Sequence, residues 1–93
     1  MITHVVLFKF RDECAGKIDT SQKMLSSLHG RVPQIRSLSV GSNILPSARA
    51  YDLCLIATFD SLEDLADYRA HPEHRSVARE VDRYCQSTVS VDY

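Results

Sequence analysis

The sequence has few cysteines, no run of basic residues and no long apolar segment, and each absence argues against a class of protein. Its three cysteines, Cys14, Cys54 and Cys85, are an odd number, lie far apart and form no Cys-x-x-Cys pair. This pattern argues against a disulfide framework or a zinc ribbon and favours a reducing compartment, the cytoplasm.

Charge and hydropathy argue against two kinds of binding partner. The net charge is −1 and no lysine- or arginine-rich run occurs, so the electrostatic footprint of nucleic-acid binding is missing. Apolar runs are much shorter than the roughly 20 residues of a membrane span, and the N-terminus lacks the pattern of a signal peptide. We therefore expect neither nucleic acid nor membrane as a partner.

The length of 93 residues predicts a single domain, residues 1–93. A chain of this size buries only about 60–65% of the surface that its unfolded form exposes. Its core is therefore thin, which favours a contribution from a partner chain.

Four segments have the β-branched and apolar content of strands, namely residues 2–10, 35–41, 51–59 and 85–92. The first strand places His4, Val6, Phe8 and Phe10 on one face, and Val5 and Leu7 on the other. The third strand is also apolar on both faces. Strands that lie half in water would instead alternate between apolar and polar residues.

The first helix is predicted by the apolar stripe Met24, Leu25, Leu28 and Val32, with Thr20 or Asp19 as its N-cap. Residues 11–18 are either a loop or the start of this helix. Gly30 and Pro33 mark its end.

The second helix begins at the N-cap Ser61, with Asp64 three positions later as in a capping box. Pro72 interrupts it because proline lacks an N–H group and disfavours helical backbone at His71. A second helical piece then runs from Glu73 to about Arg83.

The resulting order is β-α-β-β-α-β, an α+β ferredoxin-like arrangement with a four-stranded antiparallel sheet. Two helices cover only one face of such a sheet, yet both faces of the central strands are apolar. We infer that two chains pack sheet on sheet as a homodimer. The alternative is a monomer with scattered surface apolar residues.

Chemistry-bearing side chains concentrate between Tyr68 and His74. A histidine is the usual general base at neutral pH, and a phenol can donate to a developing oxyanion. His74 would be the base and Tyr68 the donor. His4 shares its strand face with Val6 and Phe8, and it would orient the base or bind a ligand.

Structural explanations for the same residues stay open. His71 and Pro72 would then only end one helix and start the next, Tyr68 would be a core residue, and His4 a hydrogen-bonded strand histidine. A metal site at His71 and His74 lacks a visible third ligand, and the cysteines have no basic neighbour that would make them nucleophiles.

Several stretches match one known family in order and spacing. They are residues 4–10, 41–43, 51–53, 59–61, Tyr68 and 71–74. Over nearly its whole length the chain resembles the stress-responsive dimeric α+β barrel family. The resemblance implies a ferredoxin-like subunit and a homodimer whose two sheets form a barrel.

The resemblance also implies site residues. A plant polyketide cyclase of this family closes a linear tetraketide thioester by intramolecular aldol condensation. Its catalytic pair corresponds here to His74 and Tyr68, and its pocket includes a histidine that matches His4. The expected ligand-binding residues are His4, Val6, Phe8 and His71, with no cofactor and no metal.

Three functional hypotheses follow. The first is a cytoplasmic homodimer that binds a small hydrophobic molecule in a pocket between sheet and helices. The second is a cyclase-like lyase that uses His74 as base and Tyr68 as acid. The third is a dimer that serves only as an interaction or stability module.

Overall fold

A computed structural model describes all 93 residues of the chain. The elements are β1 (Ile2–Phe10), a 3-10 helix (Asp12–Lys17), α1 (Ile18–Ser26), β2 (Ser37–Ser42), β3 (Leu53–Phe59), α2 (Leu62–Ala70), α3 (Pro72–Asp82) and β4 (Cys85–Asp92). The predicted ferredoxin-like order is confirmed, with α2 and α3 together forming the second helical segment. None of the helices combines the length and apolar character that crossing a membrane requires.

The four strands form one antiparallel sheet in the order β2-β3-β1-β4. The helix-covered face of β1 carries His4, Phe8 and Phe10, which are buried, together with the half-buried Val6. Strand β3 adds four buried residues to the same face. The core between this face and the helices consists of Phe8, Phe10, Leu25, Leu28, Val32, Ile35, Leu53, Leu55, Ala57, Phe59, Leu65, Tyr68, Val81 and Cys85.

The opposite side of the sheet, which we call the open face, is apolar at its centre. Cross-strand pairing aligns Val91, Val5 and Ile56 in one row and Val89, Leu7 and Cys54 in the next. No helix covers these residues, and Ile56, Val89 and Val91 are 42%, 48% and 57% exposed. The prediction that both faces of the central strands are apolar is therefore confirmed.

The start of the first helix differs from the prediction. The α-helix begins at Ile18, directly after a 3-10 helix, and its N-cap Lys17 makes no side-chain capping bond. Thr20 and Asp19 therefore lie inside the helix and neither caps it. Because the 3-10 helix leads directly into α1, its backbone carbonyl groups accept hydrogen bonds from the first N–H groups of α1. A capping side chain would otherwise have that role.

The end of this helix also comes earlier than its apolar stripe suggests. Helix α1 stops at Ser26, and turns continue to Gly30, whose φ of +99° is readily adopted only by glycine. Leu28 lies in these turns and Val32 in the bend that follows them, and both residues are buried. Strands β2 and β3 each begin two residues later than predicted, at Ser37 and Leu53.

Candidate functional site

Two caps fix the helices that present the central residues. The Ser61 hydroxyl accepts a hydrogen bond from the Asp64 N–H at 3.1 Å, which confirms Ser61 as the N-cap of α2. His71 is extended and joins α2 to α3, and Pro72 is the first residue of α3. Proline is well tolerated there because its missing N–H would have no helical partner.

Tyr68 and His74 meet across this junction. Tyr68 lies in the last turn of α2 and His74 in the first turn of α3, with ring centroids 4.2 Å apart and planes inclined by 43°. Tyr68 is 1% exposed. His74 Nδ1 donates to the Arg69 carbonyl oxygen at 3.3 Å, so in the neutral ring Nε2 carries no proton and can accept one.

Burial shifts the pKa values of the two rings in opposite directions. Burial raises the pKa of Tyr68 to about 12, and the positive charge of Arg69 only partly opposes this. Burial also lowers the pKa of His74 below its usual 6.5, although its bond to the Arg69 carbonyl acts in the opposite direction. At neutral pH the pair therefore consists of a protonated phenol and an unprotonated imidazole.

A second histidine lies beside this pair. The His4 ring is 6.1 Å from the Tyr68 ring in an edge-on arrangement, and its Nδ1 donates to Asp92 Oδ1. Asp92 Oδ2 in turn accepts from Arg69 Nη2 at 3.2 Å. Arg69 therefore binds His74 through its carbonyl and Asp92 through its side chain, which links the two histidines through one short hydrogen-bonded path.

These side chains surround a cavity of about 150 Å³ between the sheet and α3. Its lining is mainly apolar and consists of His4, Val6, Phe8, Leu25, Leu55, Tyr68, His74, Ala78, Asp82 and Thr88. The structure thus brings together five of the six residues singled out from the sequence. Several wider depressions exist on the surface, but this cavity is the one that contains the paired rings.

His71 is the exception. It does not line the cavity; its Nδ1 accepts a hydrogen bond from the Glu73 N–H at 3.1 Å and so caps α3. The expectation that His71 contacts a ligand in this cavity therefore does not fit the structure. The physical reason is that an N-cap side chain must fold back onto its own helix.

Sequence reasoning did not single out Arg69, Asp92, Asp82 or Thr88. A signal for two of them was available, because Thr88 and Asp92 alternate with the apolar Val89 and Val91 and so occupy the helix-covered face of β4. Their positions opposite Phe8 and His4 depend on strand register, which the sequence did not provide. No group of three or more His, Cys, Asp and Glu side chains lies close enough together to hold a metal ion.

Comparison with known proteins agrees with this architecture. The family model of Dabb, the stress responsive A/B barrel domain, matches residues 2–93. A stress-response A/B barrel domain-containing protein of Arabidopsis thaliana is 34% identical over 97 residues. The alignment covers all of this chain but only 36% of that protein's length.

Solved structures share the fold. A dimeric protein of unknown function and ferredoxin-like fold from Bacteroides fragilis superposes with a TM-score of 0.88 at 30% identity, over 99% of this chain and 93% of that one. A hydroxynitrile lyase from Passiflora edulis superposes with a TM-score of 0.85 at 20% identity, over 99% and 90%. The second likeness is one of fold alone. The match of the family model along the chain and the shared ferredoxin-like fold together show that this protein belongs to the stress-responsive A/B barrel domain family.

Proposed function

We propose that this protein binds a small, mainly apolar molecule in the cavity between the sheet and α3. The observation that carries the proposal is the position of the Tyr68 and His74 rings, which present a polar pair inside an otherwise apolar lining. Sites for small molecules usually combine apolar walls with a few polar groups that fix orientation.

The volume limits the ligand. A cavity of 150 Å³ corresponds to the liquid volume of about five water molecules, and an apolar cavity of similar size holds one benzene-sized ring. The part of a ligand that enters therefore has on the order of six to eight non-hydrogen atoms, and any larger molecule would extend outside.

The proposal includes a homodimer that forms through the open face. The two apolar rows form one continuous patch that no helix covers, a feature typical of interaction surfaces, and the similar protein from Bacteroides fragilis is dimeric. Packing two such faces together would remove Ile56, Val89 and Val91 from water while leaving each cavity beneath its own helices. The three free cysteines fit a cytoplasmic location.

A test of ligand binding can use cyclohexanone, a neutral cyclic ketone with seven non-hydrogen atoms. Titration into ¹⁵N-labelled protein should shift the amide resonances of residues around the cavity. The variant Ala78→Leu should bind more weakly because the larger side chain fills the space. The matched control Ala66→Leu lies on the exposed side of α2 and should bind as the wild type does; equal binding by all three proteins would refute the proposal.

A second candidate function, acid–base catalysis at a carbonyl compound, is favoured by the opposite pKa shifts of the pair. His74 Nε2 would remove a proton from the carbon beside a carbonyl, and the electron pair would form an enolate whose oxygen accepts a hydrogen bond from Tyr68. In an intramolecular aldol condensation this carbon then attacks a second carbonyl. A hydroxynitrile lyase has the same fold, so the architecture accommodates catalysis.

Proton removal can be measured without knowledge of the substrate. Cyclohexanone incubated in D₂O exchanges its α-hydrogens for deuterium if a base in the cavity abstracts them. The variants His74→Ala and Tyr68→Phe should slow this exchange about a hundredfold or more, the scale of general acid–base effects. The exposed His29→Ala serves as control, and exchange by His74→Ala at the wild-type rate would exclude the enzymatic role.

A further inference from the structure

Helix α3 carries a second stripe of side chains beside the one that faces the cavity. Arg75, Arg79 and Arg83 recur every fourth residue, a spacing that places them on one side of a helix. They border a shallow surface depression along α3 that is open to solvent, which we call the arginine groove. Its lining consists of His74, Arg75, Ala78, Arg79, Asp82 and Arg83.

The charges in this groove are not balanced within the chain. Arg83 forms an ion pair with Glu80 at 3.1 Å. Neither Arg75 nor Arg79 forms an ion pair with a carboxylate of the chain, and Asp82 is the one acidic residue in the lining. Two guanidinium groups one helical turn apart thus remain available to an anion from outside.

The arginine groove and the cavity are neighbours. His74, Ala78 and Asp82 belong to the linings of both, so the two spaces meet along one side of α3. A molecule whose apolar end contacts Tyr68 and His74 inside the cavity would extend outward past these shared residues. The next side chains that it would meet are Arg75 and Arg79.

From this arrangement we infer the class of ligand: an amphiphilic anion whose carboxylate or phosphate is held by Arg75 and Arg79, while its neutral, apolar end occupies the cavity. The inference depends on the proposed function and makes it more specific. Guanidinium groups suit this role because their planar donors match carboxylate and phosphate oxygens in paired hydrogen bonds. The arginines would therefore select among ligands that the small cavity alone cannot distinguish.

Three six-carbon probes separate the contributions of cavity and groove. They are 1-hexanol, which is neutral, hexanoate, which carries a carboxylate, and hexyl phosphate. Their dissociation constants are measured by NMR titration against the wild type and the double variant Arg75→Gln/Arg79→Gln. The matched control Arg11→Gln/Arg49→Gln removes two exposed arginines that lie outside the groove and make no ion pair.

Loss of Arg75 and Arg79 should weaken binding of at least one anion about tenfold, as expected when charge-assisted hydrogen bonds are lost, and should leave 1-hexanol unchanged. Which anion loses affinity identifies the carboxylate or the phosphate as the recognised group. The control variant should bind all three probes as the wild type does. Added salt should weaken anion binding to the wild type and leave 1-hexanol binding unchanged.

The two proposals fail in different ways. If 1-hexanol does not bind the wild type, the cavity proposal is wrong. If 1-hexanol binds but the double variant binds both anions as tightly as the wild type, the arginines only form a solvated helix face and the inference about the ligand is wrong. A charge-preserving variant, Arg75→Lys/Arg79→Lys, should retain part of the anion affinity, which separates loss of charge from a change in folding.

Discussion

Asp92, in the last strand, accepts a hydrogen bond from the Nδ1–H of His4, in the first strand, although 88 positions separate them. The two strands are neighbours in the sheet, and His4 and Asp92 are paired directly across them. Because Arg69 also binds the Asp92 carboxylate, one side chain near the C-terminal end orients a cavity histidine and ties α2 to the sheet.

Replacement of the Asp92 carboxylate by an amide tests how much its contacts with His4 and Arg69 contribute to stability. In Asp92→Asn both hydrogen bonds lose their charged acceptor, and we expect the free energy of unfolding to fall by about 1 kcal/mol, since Asp92 is partly exposed. Urea denaturation of wild type and variant measures the change. Asp67→Asn, an exposed carboxylate of α2 without an ion pair, is the control, and equal stability of both variants would show that the link contributes nothing.

The part of the site that the sequence predicts is the part formed by local contacts. Tyr68 and His74 are six residues apart, and the proline between them shows where one helix must stop and the next begin, so their proximity follows from nearby residues. The partners Arg69 and Asp92 lie 23 positions apart. Their contact depends on how α2 packs against the end of β4, and the contact of His4 with Asp92 depends on the register between β1 and β4; no short-range pattern specifies either.

The lowered pKa of His74 predicts a specific pH dependence of stability. A histidine whose pKa is lower in the folded state than its unfolded value of about 6.5 resists protonation, so its stabilising contribution is complete above about pH 6.5 and is lost as the pH falls through the folded pKa. The wild type should therefore lose more free energy of unfolding than His74→Gln between about pH 7.5 and 5.5.

Chemical denaturation at a series of pH values measures this difference. His29→Gln, which changes an exposed histidine in the turn after α1, should follow the wild-type curve. Parallel curves for His74→Gln and the wild type would mean that burial does not disfavour the charged form of this ring.

The open face provides a test of assembly. Ile56 lies beside Val5 at the centre of this face, so Ile56→Lys would place a charge in the middle of an apolar interface, where burial of an unpaired charge is costly. We expect this variant to sediment as a monomer at micromolar concentrations and the wild type to sediment as a dimer; a wild type that sediments as a monomer would contradict the proposed assembly. Leu62→Lys, at an apolar residue of α2 that is 67% exposed, should leave the dimer intact.

The fold was more predictable than its exact boundaries for a physical reason. Apolar residues on both faces of β1 and β3 mark these two as the central strands of the sheet, which the strand order confirms. The start of α1 depends instead on a 3-10 turn between Asp12 and Lys17, whose residues are mixed in polarity, mostly exposed and without periodicity. Ser61, by contrast, was correctly predicted as a cap because its side chain makes the capping bond itself.

Ser21 presents an opportunity to stabilise the protein. It lies within α1 and is fully buried, and its hydroxyl has no hydrogen-bonding partner. A buried hydroxyl without a partner costs free energy because it has lost its bonds to water. Alanine at this position removes the cost and also has the higher helix propensity, so Ser21→Ala should raise the free energy of unfolding by about 1 kcal/mol.

A second variant separates the effect of helix propensity from the effect of the buried hydroxyl. Ser76 lies in the interior of α3 and is exposed, so Ser76→Ala gains helix propensity, about 0.5 kcal/mol or less, without relieving a buried hydroxyl. Thermal and urea denaturation of both variants should show the larger gain for Ser21→Ala. If the two gains are equal, the Ser21 hydroxyl carries no burial penalty, and if Ser21→Ala is less stable than the wild type, the hydroxyl supports the packing of α1 against the sheet.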